Sequence, residues 1–193
     1  VGERLAVFGR DRYNPDAGCR LVCGVRRDEA NGGLMKVLAL GLVAAMMTAG
    51  MACAQTDDPT GPQPKLPTET LTIIADSGKS YGFTVEMALT TQQQDTGLMF
   101  RTLVPADTGM LFPWPQPQMS EMWMKNTVVP LDMVFIGPDH TIKAIAENTV
   151  PYSLRAISSG VPVIATLELQ GGITAADDIN VGDKVISKQL GGS

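Results

Sequence analysis

Cysteine and histidine are the scarcest reactive residues in this chain, and their positions exclude more chemistry than their numbers do. The three cysteines, Cys19, Cys23 and Cys53, all precede Gln55, and His140 is the single histidine. A domain that begins after Ala54 therefore has no disulfide, no thiol nucleophile and no thiolate zinc site. Any Ser-His-Asp arrangement in it depends on His140, and a centre built from several histidines is ruled out. Cys19 and Cys23 form an isolated C-x-x-x-C pair, a weak metal signal by itself. Basic residues are scarce as well. From Gln55 onward eight Lys and Arg stand against fifteen Asp and Glu, a formal net charge of −7. Nucleic-acid binding rests on neutralising phosphates, so no nucleic-acid partner is expected.

One uncharged apolar run stands out, Val37 to Met47, placed directly after Met35-Lys36 and followed by small residues from Ala49 to Ala54. A positive start, an apolar centre and the Ala52-Cys53-Ala54 end read as a secretory signal over residues 35–54, with cleavage before Gln55. The run is short for a bilayer span. A membrane anchor retained through residues 37–52 is the alternative, and lipidation at Cys53 is disfavoured by Gly50 in the preceding small-residue stretch. Residues 1–34 show no sustained apolar period and are expected to be an upstream extension outside the natural protein. The expected location is periplasmic or secreted, with membrane contact only through the signal or anchor segment.

Residues 55–67 are polar and proline-rich with little to bury, which predicts a linker. The working domain is then residues 68–188. Leu71 to Ile74 is a short β-rich segment before an Asp76-Ser77-Gly78 turn. Tyr81, Phe83, Val85, Met87 and Leu89 alternate with smaller or polar residues, the pattern of a strand with one buried face. Thr91 is positioned to cap a short helix. Pro105, Gly109, Pro113, Pro115 and Pro117 predict a loop-rich stretch in which Met110 to Phe112 is a short extended piece. Met119 to Lys125 and Leu131 to Ile136 read as strands, the second turning at Gly137-Pro138-Asp139-His140 into Thr141 to Glu147. Val163 to Leu169 alternates again, Thr174 can cap one helical turn, and Val181 to Ile186 is extended. The fold class that follows is mainly β with some α: a compact small barrel or sandwich of six to seven short strands and two short helices.

Several of these strings, in order and spacing, resemble the DUF192 family, also called UPF0127. They are Gly97-Leu98-Met99-Phe100-Arg101, Gly109 to Phe112, Met122-Trp123-Met124-Lys125-Asn126-Thr127, and Pro130-Leu131-Asp132-Met133-Val134-Phe135-Ile136. Val163 to Leu169 with Gly171, and Val181 to Val185, resemble its closing segments. The resemblance covers about Thr70 to Ile186 and implies a small β-rich fold, often exported or membrane-associated, without an established activity. One departure is His140, in a turn where relatives commonly have Gly.

Lys125, Asn126 and Asp132 lie close together in sequence on either side of a proline-containing bend, so an ammonium, an amide and a carboxylate can meet at one end of a sheet. Turn stabilisation by Asn126 and Asp132, with Lys125 paired to Asp132, is the structural counterpart. Arg101 and Glu147 follow apolar stretches at the expected rim, where a charged group can hold a ligand or form an ion pair. Glu168 alternates with apolar neighbours and can face inward, although a strand glutamate beside Thr166 more usually faces solvent. Trp123, if exposed, can stack on a sugar ring. Together these residues support a non-catalytic binding or accessory module for a glycan, small ligand or envelope protein, with no cofactor. Two alternatives remain. Met119, Met122 and Met124 around Trp123 are soft ligands suited to Cu(I), against ordinary core packing. Asp132, Glu147 and Glu168 are carboxylates of the kind a hydrolase uses in pairs.

Overall fold

The computed structural model of the protein describes residues 58–191. The upstream extension, the signal or anchor segment and all three cysteines lie outside the described residues. Among the described residues no helix is long and apolar enough to cross a membrane.

The strands are β1 (Thr68–Ile74), β2 (Ser80–Met87), β3 (Thr108–Met122), β4 (Leu131–Ile136), β5 (Ile142–Ala146), β6 (Ile157–Gln170) and β7 (Lys184–Ile186), with helices α1 (Thr91–Thr96) and α2 (Ile173–Ala176). They form one seven-stranded sheet in the order β5-β4-β6-β3-β2-β1-β7. β2 and β3 are parallel, which requires a crossover; residues 88–107, containing α1, supply it. The remaining ladders are antiparallel. The sheet curls until its two ends meet: Thr141 bridges Lys184, and Val185 N–H donates to the His140 carbonyl at 2.8 Å. That contact makes the sheet barrel-like and covers part of both edges.

Each face of the sheet has its own core. Leu71, Ile73, Phe83, Val85, Leu111, Val134 and Leu167 belong to one. Leu98, Met110, Phe112, Met124, Leu131, Met133 and Phe135 belong to the other. Period-two alternation assigns successive residues of β4 to opposite cores, and all six of its residues are buried. Full burial of a Leu, Ile, Phe or Met side chain contributes about 1.5–3 kcal/mol, so β4 and its neighbours anchor the domain.

Three local expectations are corrected. The proline-rich stretch is not a loop from Thr108 onward, because β3 runs from Thr108 to Met122; Pro105 alone of its prolines stays in the loop before that strand. The register of β3 against β6 shifts between Pro113 and Gln118, so Pro115 and Pro117 fall in a stretch without ladder partners. The cap of α1 is Thr90, one residue before the expected Thr91, and it forms a reciprocal capping box with Gln93. At α2 the capping position is Gly172 in a left-handed conformation, and Thr174 instead donates its hydroxyl to Asp132. His140 also sits at φ 60°, a left-handed backbone that glycine adopts more readily than other residues.

Residues 58–67, the described part of the linker expected at 55–67, lie along the domain. Gln63 Nε2 donates to the Gln93 and Gly97 carbonyls at 3.1 and 2.8 Å, satisfying acceptors at the end of α1. Leu66 packs on the second core, and its N–H donates to Glu86 Oε2 at 2.8 Å. The polar composition concealed this docking because side-chain amides and main-chain groups, rather than apolar surface, do most of the holding.

Candidate functional site

The centre of the sheet positions Glu168. β6 is flanked by β3 and β4, so Glu168 lies between Met110 and Met133 in the two ladders. On a one-sided sheet its alternation with Leu167 and Leu169 would turn it to water. Here both faces are covered, and Glu168 is only 4 % exposed. Gly109 permits the tight packing at this point, since a Cβ there would collide with the Glu168 carbonyl.

Thr166, two residues earlier on the same face, is satisfied by Ser120 through a 2.8 Å hydroxyl pair. Glu168 is not: its Oε2 is buried without a hydrogen-bond partner among the described residues. Burial pushes the carboxyl up to about 8, so it carries its proton at neutral pH. A protonated carboxyl both donates and accepts, and an unmet buried group of this kind costs about 1–3 kcal/mol.

Glu168 opens onto a pocket of about 370 Å³. Its apolar wall comes from Phe112 and Trp114 of β3 with Leu98 and Met99 after α1, and its rim includes Asp95, Glu121, Trp123 and Leu154. Trp114 contributes a second buried polar atom without a partner, its Nε1 donor. Trp123 is 49 % exposed and lies between this pocket and a neighbouring hollow, lining both. Lys125, on the second hollow, is placed with its Nζ 5.3 Å from the Trp123 ring centre and 2.8 Å from Asp58 Oδ1.

The other sequence candidates are dispersed. Lys125 pairs with Asp58 and not with Asp132. Asp132 is fully buried in a structural role: its carboxylate accepts from the amides of Asn148, Gly172 and Thr174 and from the Thr174 hydroxyl at 2.7–3.0 Å. Asn126 adopts a left-handed backbone with φ 54°, and its carbonyl accepts from Phe100 N–H at 2.8 Å, fixing the bend after Trp123. Arg101 makes a two-pronged ion pair with Glu86 at 2.5 and 2.8 Å. Burial acts to raise the Glu86 carboxyl, but hydrogen bonds from Arg101 and the Leu66 amide, together with the Arg101 charge, hold it below the usual carboxylate range. Glu147 is exposed. Of the three carboxylates considered for hydrolysis, only Glu168 lines the pocket.

The methionines divide in the same way. Met122 lines the pocket, Met119 is 51 % exposed, and Met124 is buried in the second core with its sulfur accepting from Thr149 Oγ1 at 3.1 Å. The expected set of three thioethers around one indole is therefore not assembled at the pocket. Trp114 was missed by sequence reasoning because it sits among the prolines read as loop. Its signal was parity with Met110 and Phe112, visible once β3 is taken as one strand.

The sequence pattern of the DUF192 family, described as "Uncharacterized ACR", matches residues 72–187. Two solved structures resemble the chain at 40 % identity. A Sinorhizobium meliloti protein, named as a candidate transcription regulator, aligns with a TM-score of 0.62 over 64 % of this chain and 95 % of its own. A Novosphingobium aromaticivorans protein of unknown function aligns with a TM-score of 0.61 over 63 % of this chain and 86 % of its own. No curated protein matches.

Proposed function

Starting from a chain that belongs to the DUF192 family, we propose that the domain is a small-ligand-binding module whose recognition site is the pocket between Glu168, Trp114 and Trp123. The observation that carries this reading is the Glu168 carboxyl, buried on a central strand with Oε2 unpartnered, in a residue that lines a hollow of ligand size. Buried polar atoms in a core are normally satisfied, and two unsatisfied ones in residues that line one pocket are demands that a ligand can meet. Trp123 offers an exposed aromatic surface beside them.

The test is a thermal-shift screen of sugars, amines, amino acids and carboxylic acids against the wild type, Glu168→Gln and Trp123→Ala. A ligand should raise the Tm of the wild type and raise it less in either variant. Folded variants that keep every wild-type interaction would remove the site from consideration.

The module acts in the cell envelope in this proposal, delivered by the segment at residues 35–54. N-terminal sequencing of the protein from a periplasmic fraction should begin at Gln55; recovery in the cytoplasm with that segment intact would overturn export. A nucleic-acid role, taken from the name of the S. meliloti relative, has less support here. Of the few basic residues in the domain, Arg101, Lys125 and Lys143 are already paired with carboxylates.

A further inference from the structure

The pocket's polar wall is of one sign. Asp95 from α1, Glu121 from β3 and Glu168 from β6 line it, and among the described residues no lysine or arginine does. The remainder is strongly aromatic, with Phe112, Trp114 and Trp123. Carboxylates beside aromatic faces are the surroundings in which an organic cation is held, by charge and by the ring quadrupole together. Trp123 already has the Lys125 ammonium 5.3 Å from its ring centre. The formal charge of the chain, −5, favours the approach of cations. Exposed acidic residues alone would not define a site. The second observation is Glu168, a lining residue that is 4 % exposed and whose Oε2 is unpartnered among the described residues.

We propose that the ligand is a small organic ammonium ion, bound against the Glu168 carboxylate and the indoles of Trp114 and Trp123. This rests on the small-ligand reading above and adds the charge of the ligand to it. The unpartnered Trp114 Nε1–H is a donor, so an ammonium carrying a hydroxyl or carbonyl acceptor suits the pocket better than a bare one.

Binding requires the O–H bond of Glu168 to break, with the proton passing to solvent and the carboxylate left to pair with the cation. The charged groups sharing the pocket are Asp95 and Glu121. On β4, packed beside β6, Asp132 is turned toward α2, and Lys125 lies on the neighbouring hollow against Asp58. Among the described residues no cation within the pocket replaces the ligand. Because the free carboxyl titrates at about 8, affinity for a permanently charged ligand should rise about tenfold from pH 7 to pH 9.

Isothermal titration of the full chain with choline, ethanolamine and tetramethylammonium, and with the neutral choline isostere 3,3-dimethylbutan-1-ol, tests this. Choline or ethanolamine should bind and the neutral alcohol should not. At pH 7 each choline bound should release about 0.9 proton, measured in buffers of different ionisation enthalpy. Glu168→Gln should weaken choline binding at least tenfold at pH 9 and abolish its pH dependence. Proton release is read from the wild type, so it decides the matter even if that variant fails to fold. Equal binding of the neutral alcohol, ammonium binding without proton release, or no ammonium binding overturns the inference. A neutral sugar that binds the wild type and is lost in Trp123→Ala would overturn it while leaving the small-ligand reading intact; absence of binding by every class overturns both.

Discussion

At the residue scale, Glu168 couples the site to stability. Its carboxyl has an ordinary value of 4.5 and is raised to about 8 in the folded protein. Between those values the folded state holds a proton that the unfolded state has released. The contribution is therefore fully present below pH 4.5 and is lost as pH rises toward 8. Glu168→Gln removes the titration and keeps the shape. We expect the variant to flatten the fall in stability across that window and to exceed the wild type by about 5 kcal/mol at pH 9, as measured by urea denaturation at a series of pH values. A variant that tracks the wild type at every pH would show that Glu168 ionises in the native state without penalty.

Among the elements, β4 and α2 are joined by one side chain. Asp132 Oδ1 serves Asn148 and Gly172, while Oδ2 serves both donors of Thr174. Asp132→Ala strands three main-chain donors near the buried end of β4, and a loss of about 3 kcal/mol is expected in equilibrium unfolding. Loss of less than about 1 kcal/mol would mean that water replaces the carboxylate readily. Asp132 stood out in the sequence through its place after Pro130-Leu131, yet the groups it holds come from positions 148 to 174, and sequence spacing carries no information about that convergence. β2 and the alternating part of β6 were legible because their apolar period is two. β3 was not, since proline reads as a breaker and only the local register shift makes it tolerable in this strand. Glu168 was ambiguous for a related reason: alternation identifies two faces, but not whether the second face is also covered.

For the molecule as a whole, a mainly β fold of six to seven strands and two short helices followed from composition, turn residues and alternation, and seven strands form. Curling and near-closure did not, because they depend on contacts between Thr141 and Lys184, far apart in sequence. The docking of residues 58–67 was likewise hidden in a composition that favours a linker, and the site acquires its second hollow only when that segment is in place, since Asp58, Gly61 and Gln63 line it. The chain also enters and leaves the sheet at one place. β1 pairs with β7, and Glu69 accepts from the Ser187 hydroxyl and the Gln189 amide. The register is antiparallel, with Thr72 opposite Ile186 and Ile74 opposite Lys184. A pull applied between residues 68 and 187 therefore loads this ladder pair by pair from its open end, as a zipper is drawn, instead of shearing all its bonds at once. Under tension between its ends the domain would peel at β7, well away from Glu168.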